Sequence, residues 1–253
     1  MQTDMTVGKP MKMLLNFTIP VFLGNVFQQL YSMADAVIVG KFVGTKGLAA
    51  VGATGTITFL IIGFLMGVTT GVTVLTSQKF GAGRMDEMRK TVGNAAILSA
   101  VIAVVMTAVS MLGMHRLLVF MHTPEDIFDG AYGYIMIICA GIFTQVLYNL
   151  VSSILRALGN SKTPLYFLIL AAGLNIVLDL VFIIFFHWGA PGAAWATVIS
   201  QGVSGVLCLI YMWKAVPELK MKKEDWYFNR DIAVKQISVG IPMGLQYSIT
   251  AIG

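Results

Sequence analysis

The chain has 253 residues, 57% of them hydrophobic and only 11% charged, with a mean hydropathy of +0.81. A soluble domain carries about a quarter charged residues, so this composition excludes that class and points to a membrane protein with the lipid bilayer as solvent. The net charge of +5 (pI ≈ 9.2) does not point to a nucleic-acid partner, because the bases lie in short loops between apolar runs, where they set topology.

Six apolar runs are long enough to span: 13–42, 48–77, 92–113, 127–155, 164–186 and 192–213. Each meets the need of about 20 residues for ~30 Å of hydrocarbon. The first is too long for the apolar core of a cleavable signal and lacks a clear A-x-A site. The first, second and fourth exceed the need, which predicts tilt, bending or helix beyond the bilayer. Pro20 removes a backbone donor inside the first span and predicts a kink there. The same span carries Gln28, Gln29, Tyr31 and Asp35, with Tyr31 and Asp35 on one face. In the second, Gly63, Gly67 and Gly71 form two overlapping GxxxG steps, read as a packing ridge. Tyr134 and Gln145 are polar points in the fourth span, Asn175 and Asp179 share a face of the fifth, and Thr197 lies in the sixth. Interhelical hydrogen bonds are the expected role of Gln28, Gln29 and Gln145, with cavity lining as the alternative. The 16 methionines are read as core and lipid-facing filling. Cys139 and Cys208 fall inside apolar runs and form neither a disulfide framework nor a CxxC motif.

Of the 17 bases, Lys41, Lys46 and Arg116 fall on one side of the membrane and the rest on the other, which places the N-terminus in the cytoplasm. The expected division is a six-helix lobe over 1–213, a charged cytoplasmic linker over 214–230, and an incomplete helix over 231–253. The stretch LNFTIPVFLGN (15–25) recurs as ISVGIPMGLQY (237–247), with Ile19-Pro20 matched by Ile241-Pro242 and Leu23 by Leu245. Transporters are commonly built from such repeats, so 231–253 is expected to open a second lobe missing from this chain.

Of the 12 acids, only Asp35 and Asp179 lie well within spans. A carboxylate at the centre of a membrane helix costs roughly 2.5–3.5 kcal/mol on insertion scales, and such groups usually mark ion or proton pathways. A close pair can hold a proton or offer oxygens to a small cation. The plainer alternative is two acids satisfied by helix–helix hydrogen bonds.

Enzyme signatures are weak. Intramembrane aspartyl proteases use Tyr-Asp and Gly-x-Gly-Asp, whereas Ala34 precedes Asp35 and Leu178 precedes Asp179. His115, His122 and His187 sit near outer span ends without HExxH spacing, and the sequence holds no P-loop. No enzymatic activity and no cofactor are expected.

Several motifs in order resemble one family: IPVFLGNVFQQLYSMADAVIVGKFVG (19–44), SQKFGAGRMDEMRKTVG (77–93), LRALGNSKTPLYF (155–167), LNIVLD (174–179) and GAAWATVISQ (192–201). The chain resembles the prokaryotic multidrug and toxic compound extrusion (MATE) transporters along its whole length. The resemblance implies an all-α membrane fold of twelve helices in two six-helix lobes around a central cavity, of which this chain carries the N-terminal lobe. It implies H⁺- or Na⁺-coupled antiport of small organic cations or amphipathic drugs across the cytoplasmic membrane. By position in the motifs, Asp35, Asn175, Asp179 and Thr197 resemble the family's cation site, Na⁺ included. Tyr31 and Tyr134 resemble cavity-lining residues beside Gln28, and Pro20 the proline at which the first helix bends. A lipid-linked oligosaccharide flippase of the same superfamily and a non-transporting membrane scaffold are the alternatives. The flippase is disfavoured because no Lys or Arg lies well inside a span.

Overall fold

A computed structural model describes residues 10–249. The helices are α1 (Pro10–Phe42), α2 (Thr45–Gly81), α3 (Met85–Phe120), α4 (Glu125–Ala140), α5 (Ile142–Ala157), α6 (Lys162–Leu180), α7 (Gly189–Ala215) and α8 (Arg230–Ile249). A π-helical turn, Val181–Phe185, continues α6, and two 3-10 turns, Pro217–Leu219 and Lys223–Trp226, fill the connection to α8. No strand occurs among the described residues. The fold is all helical, as the apolar runs predict. The ends of the chain, including the last residues of the expected 231–253 segment, lie outside the described residues.

Five of the helices are singly long and apolar enough to cross a membrane, and α4 with α5 makes a sixth span bent by 47°. The bend falls at Gly141, where the over-long fourth run is interrupted. A side chain at Gly141 would run into the Val198 isopropyl group of α7, so the glycine lets α7 pass close to the corner. Thr144 Oγ1 donates at 2.8 Å to the Gly141 carbonyl, which also accepts the Thr144 and Gln145 N–H groups at the start of α5. α1, by contrast, runs unbroken through Pro20.

Two buried apolar clusters hold the bundle. One gathers Val39, Leu65, Ile135 and Ile142, the other Val72, Met88, Leu155 and Leu158. The outside is apolar as well: Leu112 is 84% exposed and Phe185 76%. In water such a surface would drive aggregation, but lipid tails match it.

The glycine ridge of α2 receives α8. A Cβ added at Gly67 would stand 2.6 Å from Gly244 Cα, and one at Gly71 2.5 Å from Gly240 Cα. Gln236 of α8, almost fully buried, donates Nε2 to the carbonyls of Val72 (3.0 Å) and Thr91 (2.8 Å), and Ser248 Oγ donates to Leu60 O at 3.2 Å. Close glycine packing of this kind brings backbones together and is a main source of helix association in lipid.

The segment 216–229 is charged but not loose. Arg89 of α3, which also pairs with Asp86, stands 3.4 Å from Asp225 Oδ2, and the Lys222 N–H donates to the same carboxylate at 2.7 Å. Asn94 Oδ1 accepts the Asn229 N–H at 3.0 Å, and Asn229 Oδ1 in turn caps α8 through the N–H groups of Asp231 (2.9 Å) and Ile232 (3.1 Å). The Asp225 side chain is only 5% exposed. Arg89→Ala strands that charge, which costs about 3–5 kcal/mol for a buried pair. The expected result is fast hydrogen exchange and protease cleavage across 216–229. Arg84→Ala, which breaks only an exposed pair with Glu87, leaves the segment protected, since such pairs contribute about 0–1 kcal/mol.

Candidate functional site

The polar residues of α1 form a stripe at helical spacing: Asn25, Gln28, Tyr31, Ser32 and Asp35. The stripe faces a cavity of ≈ 610 Å³. Across it stand Thr58 and Met66 of α2, Tyr134 of α4, Gln145 of α5, Thr197 of α7 and Tyr247 of α8. Gln28, Gln29 and Gln145 therefore line the cavity, and their side chains make no hydrogen bond to another helix among the described residues. The expectation of interhelical bonds is not met for these three, because the helices stand apart where they lie.

Asp35 and Thr197 are at the cavity wall, 8% and 9% exposed, while Asn175 and Asp179 are fully buried behind it. The carboxyl groups of Asp35 on α1 and Asp179 on α6 lie close enough to feel each other's charge. Each has one oxygen, Oδ1, buried without a protein partner. Tyr31 donates its hydroxyl to Thr197 Oγ1 at 3.1 Å, which ties α1 to α7. The Asn175 amide has two orientations. In one, Nδ2 lies 3.4 Å from Thr197 Oγ1. In the other, Nδ2 donates to Asp179 Oδ2 at 3.0 Å and Oδ1 accepts the Thr197 N–H at 3.2 Å. We adopt the second, because the first sets the amide oxygen against acceptors alone.

Asp35, Asn175, Asp179, Thr197 and Tyr31 thus form one connected cluster from three helices, and Tyr134 and Gln28 lie along the same cavity. Pro20 is buried on α1 beside a small cavity of ≈ 40 Å³ further toward the N-terminus. The π-helical turn begins two residues after Asp179. Such turns rotate the following residues out of α-helical register and often sit beside functional groups.

The acceptors of the cluster are oxygens: two carboxylates, an amide carbonyl turned to the Thr197 N–H, and hydroxyls. That set suits a proton or a hard cation such as Na⁺ and not a soft transition metal. No group of three or more His, Cys, Asp or Glu side chains that could hold a metal occurs among the described residues.

Two further polar groups belong to this region. Gln201 Oε1 and Thr58 Oγ1 are buried without partners on the cavity wall. Gln201 follows Thr197 by one helical turn, in a stripe with Ser200 and Ser204, and that spacing marks it in the sequence.

The MatE family model matches residues 20–181. The probable multidrug resistance protein YpnP of Bacillus subtilis is 32% identical over 248 residues, which cover 97% of this chain and 55% of that protein. A MOP superfamily transporter from Pyrococcus furiosus superposes with a TM-score of 0.90 at 28% identity, over 98% of this chain and 55% of its own. An outward-facing multidrug resistance MATE family transporter also gives 0.90 at 28%, over 100% of this chain and 56% of its own. The chain spans about half the length of the curated relatives it matches.

Proposed function

The chain belongs to the MatE family, and from that premise we propose that it forms one lobe of an H⁺- or Na⁺-coupled antiporter exporting organic cations or amphipathic drugs by alternating access. The carrying observation is the pair Asp35, at the wall of a large cavity, and Asp179, buried behind it, each with an unpartnered buried oxygen. Two neighbouring carboxylates repel strongly in a low-dielectric site. A proton or cation between them removes the repulsion and draws α1 onto α6. Thr197 supplies a further oxygen, and the Asn175 amide holds the Asp179 carboxylate in place.

Loss of the ion restores the repulsion and pushes α1 away from α6. Pro20 cannot donate to the Asn16 carbonyl, so α1 is weakest there and bends with least cost. Movement of α1 reshapes the cavity, since its polar stripe is one wall. The volume lies within the range of drug-sized sites. The lining carries one carboxylate, aromatic rings and amides, and no Lys or Arg, which favours cationic or amphipathic cargo over anions. Asp35 alone of the pair lines the cavity, so a cationic cargo competes with the coupling ion there. The relatives' designation as multidrug resistance proteins supports the cargo class. The excess of bases on one side supports a cytoplasmic N-terminus in the cytoplasmic membrane.

The test is export of an organic cation by the intact protein in liposomes under an imposed H⁺ or Na⁺ gradient. Export should rise with one of the two gradients and stop when it is dissipated. Export indifferent to both would sink the proposal. Tyr31→Phe removes the bond to Thr197, worth about 1 kcal/mol. It is expected to raise the half-activating ion concentration about fivefold while the maximal rate persists.

A further inference from the structure

A second cavity, ≈ 550 Å³, opens at the end of the bundle where the N-terminal part of α1, the α5–α6 turn and the C-terminal part of α7 meet. Its polar side is the turn itself: Asn160, Ser161, Lys162 and Thr163. Asn160 and Ser161 are each 5% exposed. Asn160 Oδ1 accepts the Thr163 N–H at 3.1 Å, which leaves its Nδ2 free to donate. Ser161 Oγ has no partner among the described residues, although Ser161 occupies the N-cap position of α6. Both residues line the cavity. The next residues offer the Lys162 ammonium and the positive end of the α6 dipole.

The lining therefore presents an amide N–H, a hydroxyl, an ammonium and a helix N-terminus, with no carboxylate. That is an anion's complement. The opposite wall is apolar and aromatic: Met13 and Phe17 from α1, Phe167 packed edge-on against Tyr211 with ring centroids 6.1 Å apart, and Tyr166, which is 66% exposed. Tyr166 and Tyr211 lie near the ends of α6 and α7, and tyrosines at the ends of membrane helices suit the headgroup level of a bilayer. A free phosphate would fill a small part of this volume and would leave the apolar wall bare.

We propose that this cavity holds the phosphate of an anionic membrane phospholipid, with Lys162, Ser161 and Asn160 as donors and the first part of its acyl chains along Phe17 and Tyr166. Its position beside the α1 segment that precedes Pro20 puts the lipid against the helix whose movement the transport cycle needs. Arg156, in the last turn of α5, lines the small cavity on the other side of Ser161 and adds to the positive field.

The intact protein is equilibrated with mixed vesicles of phosphatidylglycerol and phosphatidylcholine, and the retained lipids are counted by native mass spectrometry. Phosphatidylglycerol should be retained in preference, and Lys162→Ala or Lys162→Gln should cut that preference about fivefold, the effect of one lysine at a membrane surface. Lys162→Arg should keep it. Ser161→Ala should weaken it with the melting temperature unchanged. Equal retention of the two lipids by the unaltered protein overturns the proposal, as does a preference that survives both Lys162→Gln and Ser161→Ala. Inorganic phosphate binding alone, and displacing the lipid, would assign the site to a free anion and also overturn it.

Discussion

Asp179→Asn is expected to cost the intact protein its ion-driven export, by at least about tenfold, while raising its stability. The substitution keeps shape and volume. The amide oxygen introduced there still accepts from Asn175 Nδ2, and its N–H₂ can donate to Asp35, whose Oδ1 has no partner. What disappears is the second negative charge. With it go both the reason for an ion to bind between α1 and α6 and the repulsion that separates them when the ion leaves. Removing one of two like charges from a low-dielectric site relieves their repulsion, and an acid in a membrane helix carries an insertion cost of its own. Function and stability should therefore move in opposite directions, the usual sign of a site held for activity at the expense of stability. Proteoliposome export and the melting temperature in detergent read the two effects. A substitution that lowers the melting temperature and leaves export with its ion dependence intact would assign the pair to structure instead.

The sequence exposes the two acids because a carboxylate in an apolar span has a cost no neighbour in the chain explains. The same reasoning passes over Gln201 and Thr58, which the structure places unpartnered on the cavity wall. Amides and hydroxyls cost little in a membrane helix, and many are ordinary contacts. Span positions are legible because about 20 apolar residues in a row have few other uses. The corner at Gly141 is not. Of 26 glycines, this one breaks its helix because Val198, far along the chain, faces it. The π-helical turn after Asp179 has no signature in VFIIF. Asn175 and Asp179 illustrate a finer limit. Their spacing puts them on one face, but only the packing of α6 against α7 sets them behind the cavity wall and not upon it. The ridge Gly63–Gly67–Gly71 was readable as a packing surface, yet its partner lies in the segment after the charged linker.

That ridge carries a large expected effect on how α8 is held. Gly67→Ala would place a methyl group 2.6 Å from Gly244 Cα and 2.7 Å from Gly244 N, and Gly71→Ala would place one 2.5 Å from Gly240 Cα. These neighbours are backbone, so no side-chain rotation can relieve the clash and α8 must move as a body. Overpacking of this kind costs about 1–3 kcal/mol. Moving α8 also strains the Gln236 bonds to Val72 and Thr91, which holds the expectation toward the upper part of that range. Gly63→Ala meets the Tyr247 carbonyl at 3.4 Å, an ordinary contact, and should be close to neutral. Gly113→Ala on α3, with nothing within 4 Å, should be neutral or stabilising by up to about 1 kcal/mol, since alanine is the better helix former. Melting temperatures of the four variants should therefore be graded, with the Gly67 and Gly71 variants well below those at Gly63 on the same α2 face and at Gly113 on α3. The physical basis is that lipid offers helices no hydrophobic drive to associate, so close backbone contact must hold α8 to α2. Equal melting temperatures for Gly63→Ala, Gly67→Ala and Gly71→Ala would mean that α8 rests on the ridge loosely, and that the Gln236 and Ser248 hydrogen bonds fix it there instead.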